Sequence, residues 1–314
     1  MPGMRRILPA LVLLLAGFPV HADEPRPRAP DRDGIELTED TTLAPGTHLV
    51  AERDGVGLLV IRTDGVTLDL NGATLRGAPA GAAPDGLEGV GILVENAAGV
   101  TIRNGSVAGF KVGIRAVGAK GLVVEGVDAS GNFKQRLKST PEKEDASDWL
   151  WPHENDEGEW ESKYGGGVSL NDCEGAEVRR CRVRQGQNGL LLTRCTKCFV
   201  YDNDFSFNSG WGIALYRTTH TEVSHNRCDF CVRGYSHGVY YRGQDSAGIL
   251  VFEQSSHNVF VGNSATHSGD GFFLYAGHET TQRTGKVTFD KVVMMPLKAD
   301  RFGNHSFIHV VYLL

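Results

Sequence analysis

The segment RGYSHGVYYRGQDSAGILVFEQS, residues 233–255, carries the densest set of side chains able to move protons or hold charge. It offers His237, Tyr240, Tyr241, Arg242, Asp245 and Glu253; the residues beyond add His267 and Asp270, then His278 and Glu279. Two chemistries suit these types. Hydrolysis of a glycosidic bond needs two carboxyls, one protonated, about 5–9 Å apart across the bond. Asp245, Glu253 and Asp270 are the acids for that role, with His237 as a further proton carrier. Elimination or epimerisation at a uronate needs an Arg or a Ca²⁺ to neutralise the carboxylate, and a base to take the C5 proton. Arg217, Arg242, His237 and Tyr241 are the residues for that route.

A sugar ring is gripped by flat aromatic faces and by carboxylates that accept its hydroxyl protons. Residues 133–163 supply both: three of the four tryptophans (Trp149, Trp151 and Trp160) and nine acids against five Lys or Arg. Trp211, Tyr216, Arg217, Tyr241, Arg242 and His267 complete the candidate sugar contacts. The same tryptophans could instead fasten an acidic lid to its support. Net charge is −6 and no block is strongly basic, which argues against nucleic-acid binding through phosphates. Over 164–279, ten Lys or Arg stand against eleven Asp or Glu, so a neutral or mixed glycan is expected rather than a strong polyanion.

The element that must hold these groups is a repeat. Gly followed by a branched or large apolar residue recurs at Gly57, Gly91, Gly113, Gly167, Gly189, Gly212, Gly248 and Gly271. The short intervals are 22–23 residues, and the long ones equal one period plus an insertion. A second short strand begins nine residues after most of these glycines. Gly makes up 40 of 314 residues, high against a usual ~7 %. A unit this short, without a helical period, buries its apolar face only by stacking on its neighbours. The position after each Gly reads Leu58, Ile92, Ile114, Val168, Leu190, Ile213, Ile249 and Phe272, and alternation points this column and the one two further on inward. Asn71, Asn203 and Asn226 all fall 14 residues after their glycine and should bond from coil to coil. The predicted fold is all-β: a single-stranded right-handed parallel β-helix of about eight coils, roughly 40 Å long at ~4.8 Å per coil.

Repeats such as GVTLDLNGATLRG (65–77) and NGLLLTRCTKCFVYDNDFSFNSGWGIAL (188–215) resemble those of the pectate-lyase-like superfamily of right-handed β-helix proteins, over residues 56–279. That resemblance implies the fold, and either action on a polysaccharide or a role like that of the periplasmic copper-accessory NosD-type proteins. The paired-Asp pattern of polygalacturonases and the Asp-Pro-His-Asp motif of mannuronan epimerases are both missing. The expected function is an exported carbohydrate-active protein, first a glycoside hydrolase. A polysaccharide lyase or uronate epimerase is the alternative, and a non-catalytic glycan-binding or NosD-like accessory protein the third reading. No cofactor or metal is expected, save Ca²⁺ in the lyase case.

Three stretches break the period: 78–89, 133–163 and 233–247. They begin 21, 20 and 21 residues after their own glycines, so all three leave the coil at one corner. Insertions that share a corner of a solenoid build one face, and a groove is expected there, floored by coils 167–232. Outward positions on adjacent coils carry Ala214, Leu250 and Phe273 beside Tyr216, Phe252 and Tyr275. Such a patch needs a cover, from a bound glycan or a folded-over insertion. One position further, Asp172, Arg194, Arg217 and Glu253 stack either as a ladder of surface ion pairs or as part of a site.

All six cysteines lie within 173–231. Cys195-x-x-Cys198 and Cys228-x-x-Cys231 have a zinc-like spacing, but their coil offsets scatter them round the perimeter. Cys173 and Cys195 share one offset on neighbouring coils, about 5 Å apart, and are the expected disulfide of an exported protein. Export is read from residues 1–22: Arg5 and Arg6, an apolar run over 7–20, then Val20-His21-Ala22 as a cleavage site. The mature chain is expected to be periplasmic or secreted, with cleavage near Ala22. Residues 23–33 read as a flexible leader, 34–56 as an N-terminal cap and 57–279 as the β-helix. Residues 280–314 match no coil and read as an irregular or truncated C-terminal segment. No further apolar run is long enough to span a bilayer, and the protein is expected to work as a monomer on a polysaccharide or oligosaccharide.

Overall fold

Short strands of one chain can satisfy their main-chain groups only by pairing with the strand one coil away, and the repeat does this throughout. The structure is a computed structural model. It describes residues 27–140, 142–233, 245–277, 280 and 282, together with the backbone of strands Val293–Met295, Lys298–Arg301 and Ile308–Tyr312. The strands form a ten-stranded sheet and an eleven-stranded sheet that run along the spiral. The result is a right-handed parallel β-helix. Ile92, Ile114, Val168, Leu190, Ile213, Ile249 and Phe272 are register partners in turn. All are fully buried in one core, each worth about 1.5–3 kcal/mol of burial.

The register departs from expectation at the first coil. Leu59, not Leu58, partners Ile92. Gly57 turns at φ 93, with Leu93 Cβ only 2.8 Å from where a side chain would start, so the chain enters the sheet one residue later. The spiral also extends past both ends of the glycine pattern. Strand Ile35–Glu36, in the expected cap, pairs with Leu59–Ile61. The tail, expected to be irregular, gives strand Ile308–Tyr312 in register with Phe272–Ala276, and Val293–Met295 on the other sheet. Pairing through the main chain needs no glycine, so the tail carried no mark of a coil.

Asn71 stands outside the expected ladder, its Nδ2 donating to Leu43 O at 3.1 Å, while Asn203 and Asn226 form it and Asn263 extends it: Nδ2 of each donates to Oδ1 of the next, at 2.8 and 3.0 Å. All three are buried, so each amide satisfies its neighbour where water is absent. The expected Cys173–Cys195 disulfide is corrected. Both residues, like the other four cysteines, are free buried thiols. They do stack on neighbouring coils, and their thiols donate to main-chain carbonyls, Cys173 to Asn171 at 3.3 Å and Cys195 to Leu170 at 3.3 Å. Parallel stacking is the obstacle. It leaves the Cβ atoms near the ~4.8 Å coil spacing, whereas a disulfide wants ~3.8 Å. Burial pushes the Cys195 and Cys228 thiols well up, and Cys231 to about 12, whereas a hydrogen bond with Cys195 holds Cys173 below its ordinary value.

The three insertions sit between the end of the eleven-stranded sheet and the start of the ten-stranded one. The first lies between strands Thr74–Arg76 and Val90–Glu95, and the second between Val123–Asp128 and Gly166–Asn171. Of the third, Arg233 and 245–247 are described; it leads into strand Ala247–Phe252. They touch one another. Lys134 N–H donates to Pro84 O at 3.1 Å, Arg136 pairs with Asp85 at 3.4 Å, and the Arg233 guanidinium reaches Asp148 O and Gln135 Oε1.

Candidate functional site

The second insertion divides into two parts with different work. Its later part folds over the outward face of the ten-stranded sheet. Leu150, Trp160 and Tyr164 pack there on Trp211, Tyr216 and Phe252, with Trp160 and Trp211 ring centroids 4.7 Å apart. Polar ties hold it down: Asn155 Nδ2 donates to Thr193 Oγ1 at 3.0 Å, Tyr216 OH to Asp156 Oδ1 at 3.2 Å, and Arg217 Nη2 to Asp156 Oδ2 at 3.0 Å. The apolar patch on adjacent coils is therefore covered by the chain itself.

This placement corrects several expected sugar contacts. Trp160, Trp211 and Tyr216 are fully buried and present no face to a ligand. Trp211 Nε1 donates to Asp245 O at 2.9 Å. Arg217 fastens the cover through Asp156, while Asp172 and Arg194 form the expected rung of the ion-pair ladder at 2.8 Å. Trp149 is half-buried and donates from Nε1 to Glu144 Oε1 at 2.6 Å. Trp151 is 53 % exposed, but it lies over the cover, 4.8 Å from the His153 ring, which in turn meets Tyr275 at 4.7 Å. His237, Tyr241 and Arg242 lie outside the described residues.

The candidate acids separate. Glu253 is 3 % exposed, and its carboxylate accepts from Gly277 N–H at 3.1 Å, from Thr280 N–H at 3.0 Å and from the Thr280 hydroxyl. It clasps the chain after strand Asp270–Ala276, with both oxygens committed. Asp270 is buried at the head of that strand, and its N–H donates to Ser246 O at 2.8 Å. Asp245, half-buried at φ 58, precedes Ser246. Asp245 and Asp270 therefore come from neighbouring coils at the insertion corner, and Glu253 does not join them.

The earlier part of the second insertion, residues 133–138 (FKQRLK), runs extended as a strap across that corner. A cavity of about 510 Å³ lies on one side, lined by Pro84, Gln135, Arg136, Phe207, Ser209 and Phe230 among others. A second, of about 480 Å³, lies on the other, lined by Gln135, Lys138, Ser147, Asp148 and Arg233 among others. The strap brings Lys134 and Arg136 to the first cavity and Arg136 and Lys138 to the second. The charge balance over 164–279 left this strap out, and so missed the cations on the groove wall.

Beside the first cavity stands a ladder of exposed rings. Phe207 and Phe230 stack at 5.0 Å and 3°, and Phe230 and His267 at 4.8 Å and 16°. Phe207 is 47 % and Phe230 40 % exposed. Arg184 lies over the far face of Phe207, 5.2 Å from its centroid. Burial raises the pKa of Asp204, but hydrogen bonds from Arg184 and Ser206 outweigh it and hold the carboxyl below its ordinary value. Asp148 is likewise held low: its burial is outweighed by the Lys138 and Ser139 N–H groups it accepts. Of the expected contacts, only His267 belongs to this ladder. The missed signal was an offset: Phe207 and Phe230 each lie 18 residues after their coil's glycine.

Among the described residues, no group of three or more His, Cys, Asp or Glu converges as a metal site, and no helix is long and apolar enough to cross a membrane. No curated protein matches the sequence. Several solved structures are similar. The periplasmic alginate epimerase AlgG is 13 % identical over 81 % of this chain, with a TM-score of 0.46. DFA-IIIase from Arthrobacter chlorophenolicus A6 is 11 % identical over 78 %, with a TM-score of 0.45. The surface protein and adhesin PfbA of Streptococcus pneumoniae is 12 % identical over 85 %, with a TM-score of 0.48. The matches cover 50 %, 60 % and 77 % of those chains respectively. Residues 165–290 match the family model for a right handed beta helix region. With its stacked parallel sheets, the chain is a right-handed parallel β-helix protein.

Proposed function

We propose that this is an exported carbohydrate-active protein that lays a polysaccharide along the insertion corner. The observation that carries the reading is the ladder of Phe207, Phe230 and His267, solvent-facing and flat, beside a 510 Å³ groove. Stacked rings at one-coil spacing offer successive faces to successive sugar rings. The strap and the first insertion wall the groove with groups able to hydrogen-bond hydroxyls. The reaction we assign is hydrolysis, with Asp245 and Asp270 as the carboxyl pair. Neighbouring coils lie ~4.8 Å apart, which suits the ~5–9 Å span such a pair needs. Export, to the periplasm or beyond, follows from the pattern of residues 1–22, and N-terminal sequencing of the mature protein should start near Asp23.

The test is a polysaccharide panel read in two ways, reducing-end release and absorbance of unsaturated uronates. Hydrolysis predicts the first without the second, and loss of turnover in Asp270→Asn with the fold intact by circular dichroism. Unsaturated product would replace hydrolysis with elimination. Binding without either product, unchanged in Asp245→Asn and Asp270→Asn, would make the protein a glycan-binding module.

A further inference from the structure

Two buried donors without partners flank the strap. Arg233 is 2 % exposed and Gln187 fully buried, and among the described residues neither Arg233 Nη1 nor Gln187 Nε2 has a hydrogen-bond partner. Both residues touch Gln135. Its amide oxygen accepts from Arg233 Nη2, and its N–H donates to Gln187 Oε1 at 3.0 Å. Gln135 lines both cavities. The other acceptor for the Arg233 guanidinium is the main-chain oxygen of Asp148. The Asp148 carboxylate is turned elsewhere, to Lys138 N–H at 2.9 Å and Ser139 N–H at 2.7 Å. Among the described residues, this deeply buried guanidinium therefore donates only to neutral oxygens.

That arrangement is costly. An unmatched buried donor is costly, and the Asp148 carboxylate meets the Arg233 charge only through space, with no hydrogen bond between the two side chains. Burial draws the Arg233 pKa down to about 10. A guanidinium fork is shaped to take two oxygens of one planar or tetrahedral anion. The amide oxygen of Gln135 stands where the first of those oxygens would lie, and the idle Nη1 awaits the second.

We propose that the cavity of about 480 Å³ behind the strap is a subsite for one oxyanion carried by the glycan, a carboxylate or a sulfate ester, seated on Arg233 in the place now held by the Gln135 amide. This rests on reading the corner as a glycan groove, and it adds a charged group to a substrate that composition had suggested to be neutral or mixed. Lys138 stands at the rim, where it draws an anion in, while Arg136 beside it is paired with Asp85.

Monosaccharides separate the subsite from the groove. The full chain is titrated calorimetrically with glucuronate, glucose 6-sulfate and glucose at constant ionic strength. Binding of either anion without binding of glucose supports the subsite, and whichever binds more tightly names the group. Gln135→Glu places a carboxylate on Arg233 from within. It should raise the melting temperature and weaken anion binding at least tenfold. Arg233→Lys, which keeps the charge and loses the fork, should weaken it as well. Equal binding of glucose, no anion binding, or undiminished anion binding in Gln135→Glu overturns the proposal. Removing the rings with Phe207→Gly and Phe230→Gly should weaken polysaccharide binding about ten- to a hundredfold and leave the anion titration unchanged. Failure of the groove reading therefore shows in that variant alone.

Discussion

Replacing Phe230 by Gly separates a ligand platform from a structural staple. A Phe side chain has about 200 Å² to bury, and at 40 % exposure about 120 Å² of it is out of water. At ~25 cal/mol/Å² the loss is about 3 kcal/mol as an upper bound, nearer 2 for a compact denatured chain. Against this, Phe230 sits at φ 58, where a side chain costs about 1–2 kcal/mol that Gly does not incur. Gly's freedom in the unfolded chain returns about 0.5–1 kcal/mol of that. The net destabilisation is about 1 kcal/mol. Affinity should fall much more visibly. Each lost ring face is worth about 0.5–1.5 kcal/mol, so Phe207→Gly with Phe230→Gly should weaken polysaccharide binding about ten- to a hundredfold. Urea denaturation and affinity electrophoresis read the two quantities. A stability loss above about 3 kcal/mol with affinity unchanged would refute the platform and make the ladder a corner brace.

Three further outcomes follow. Trp160→Ala empties the cover over the ten-stranded sheet and should cost about 3–5 kcal/mol in denaturant; a loss below 1 kcal/mol would mean that the cover is not packed. Native protein should show no thiol accessible to an aromatic disulfide reagent, and denatured protein should show six. A mass shift indicating a Cys173–Cys195 bridge would contradict the stacked-thiol geometry. His153 is half-buried against Phe252 and Tyr275, and desolvation lowers its pKa from the usual 6.5 despite Glu154. Below pH ~6.5 the unfolded chain takes up a proton that the folded chain resists, so stability falls with pH until the folded group itself titrates. The melting temperature of His153→Phe should fall less between pH 7 and 5 than that of the natural chain.

The sequence made the spiral legible because its signal is redundant: eight glycines and two apolar columns repeat one statement. It made the shared corner legible because offsets count residues and need no contacts. It could not show that one insertion does two things. Trp160 and Trp151 look alike in the chain, yet one is sealed under the cover and the other is 53 % exposed. Glu253 looked like a free acid because its partners, Gly277 and Thr280, come from the following coil. The thiols misled because column sharing fixes the Cα spacing while Cβ direction decides bridging.

The corner residues themselves give the strongest reason to place the ligand at the rings. A non-glycine residue at positive φ is strained, and asparagine or aspartate bears it most easily. Among the described residues, Phe207 and Phe230 are the apolar ones at positive φ; the other non-glycine positions there are polar, such as Asn96, Asp172, Lys197 and His257. Apart from the buried Glu253, most of those polar residues meet water at a solvent-facing corner, and several are anchored by ion pairs such as Asp172 with Arg194. A phenylalanine there gains neither advantage, since its ring is nearly half exposed and its backbone is strained. Two such choices stack on consecutive coils beside the groove and run parallel within 3°. Strain of this kind persists where something other than folding uses the side chain. A flat ligand covering both rings would remove the exposed apolar area that the free protein leaves in water, which is the gain that polysaccharide binding at this corner would draw on.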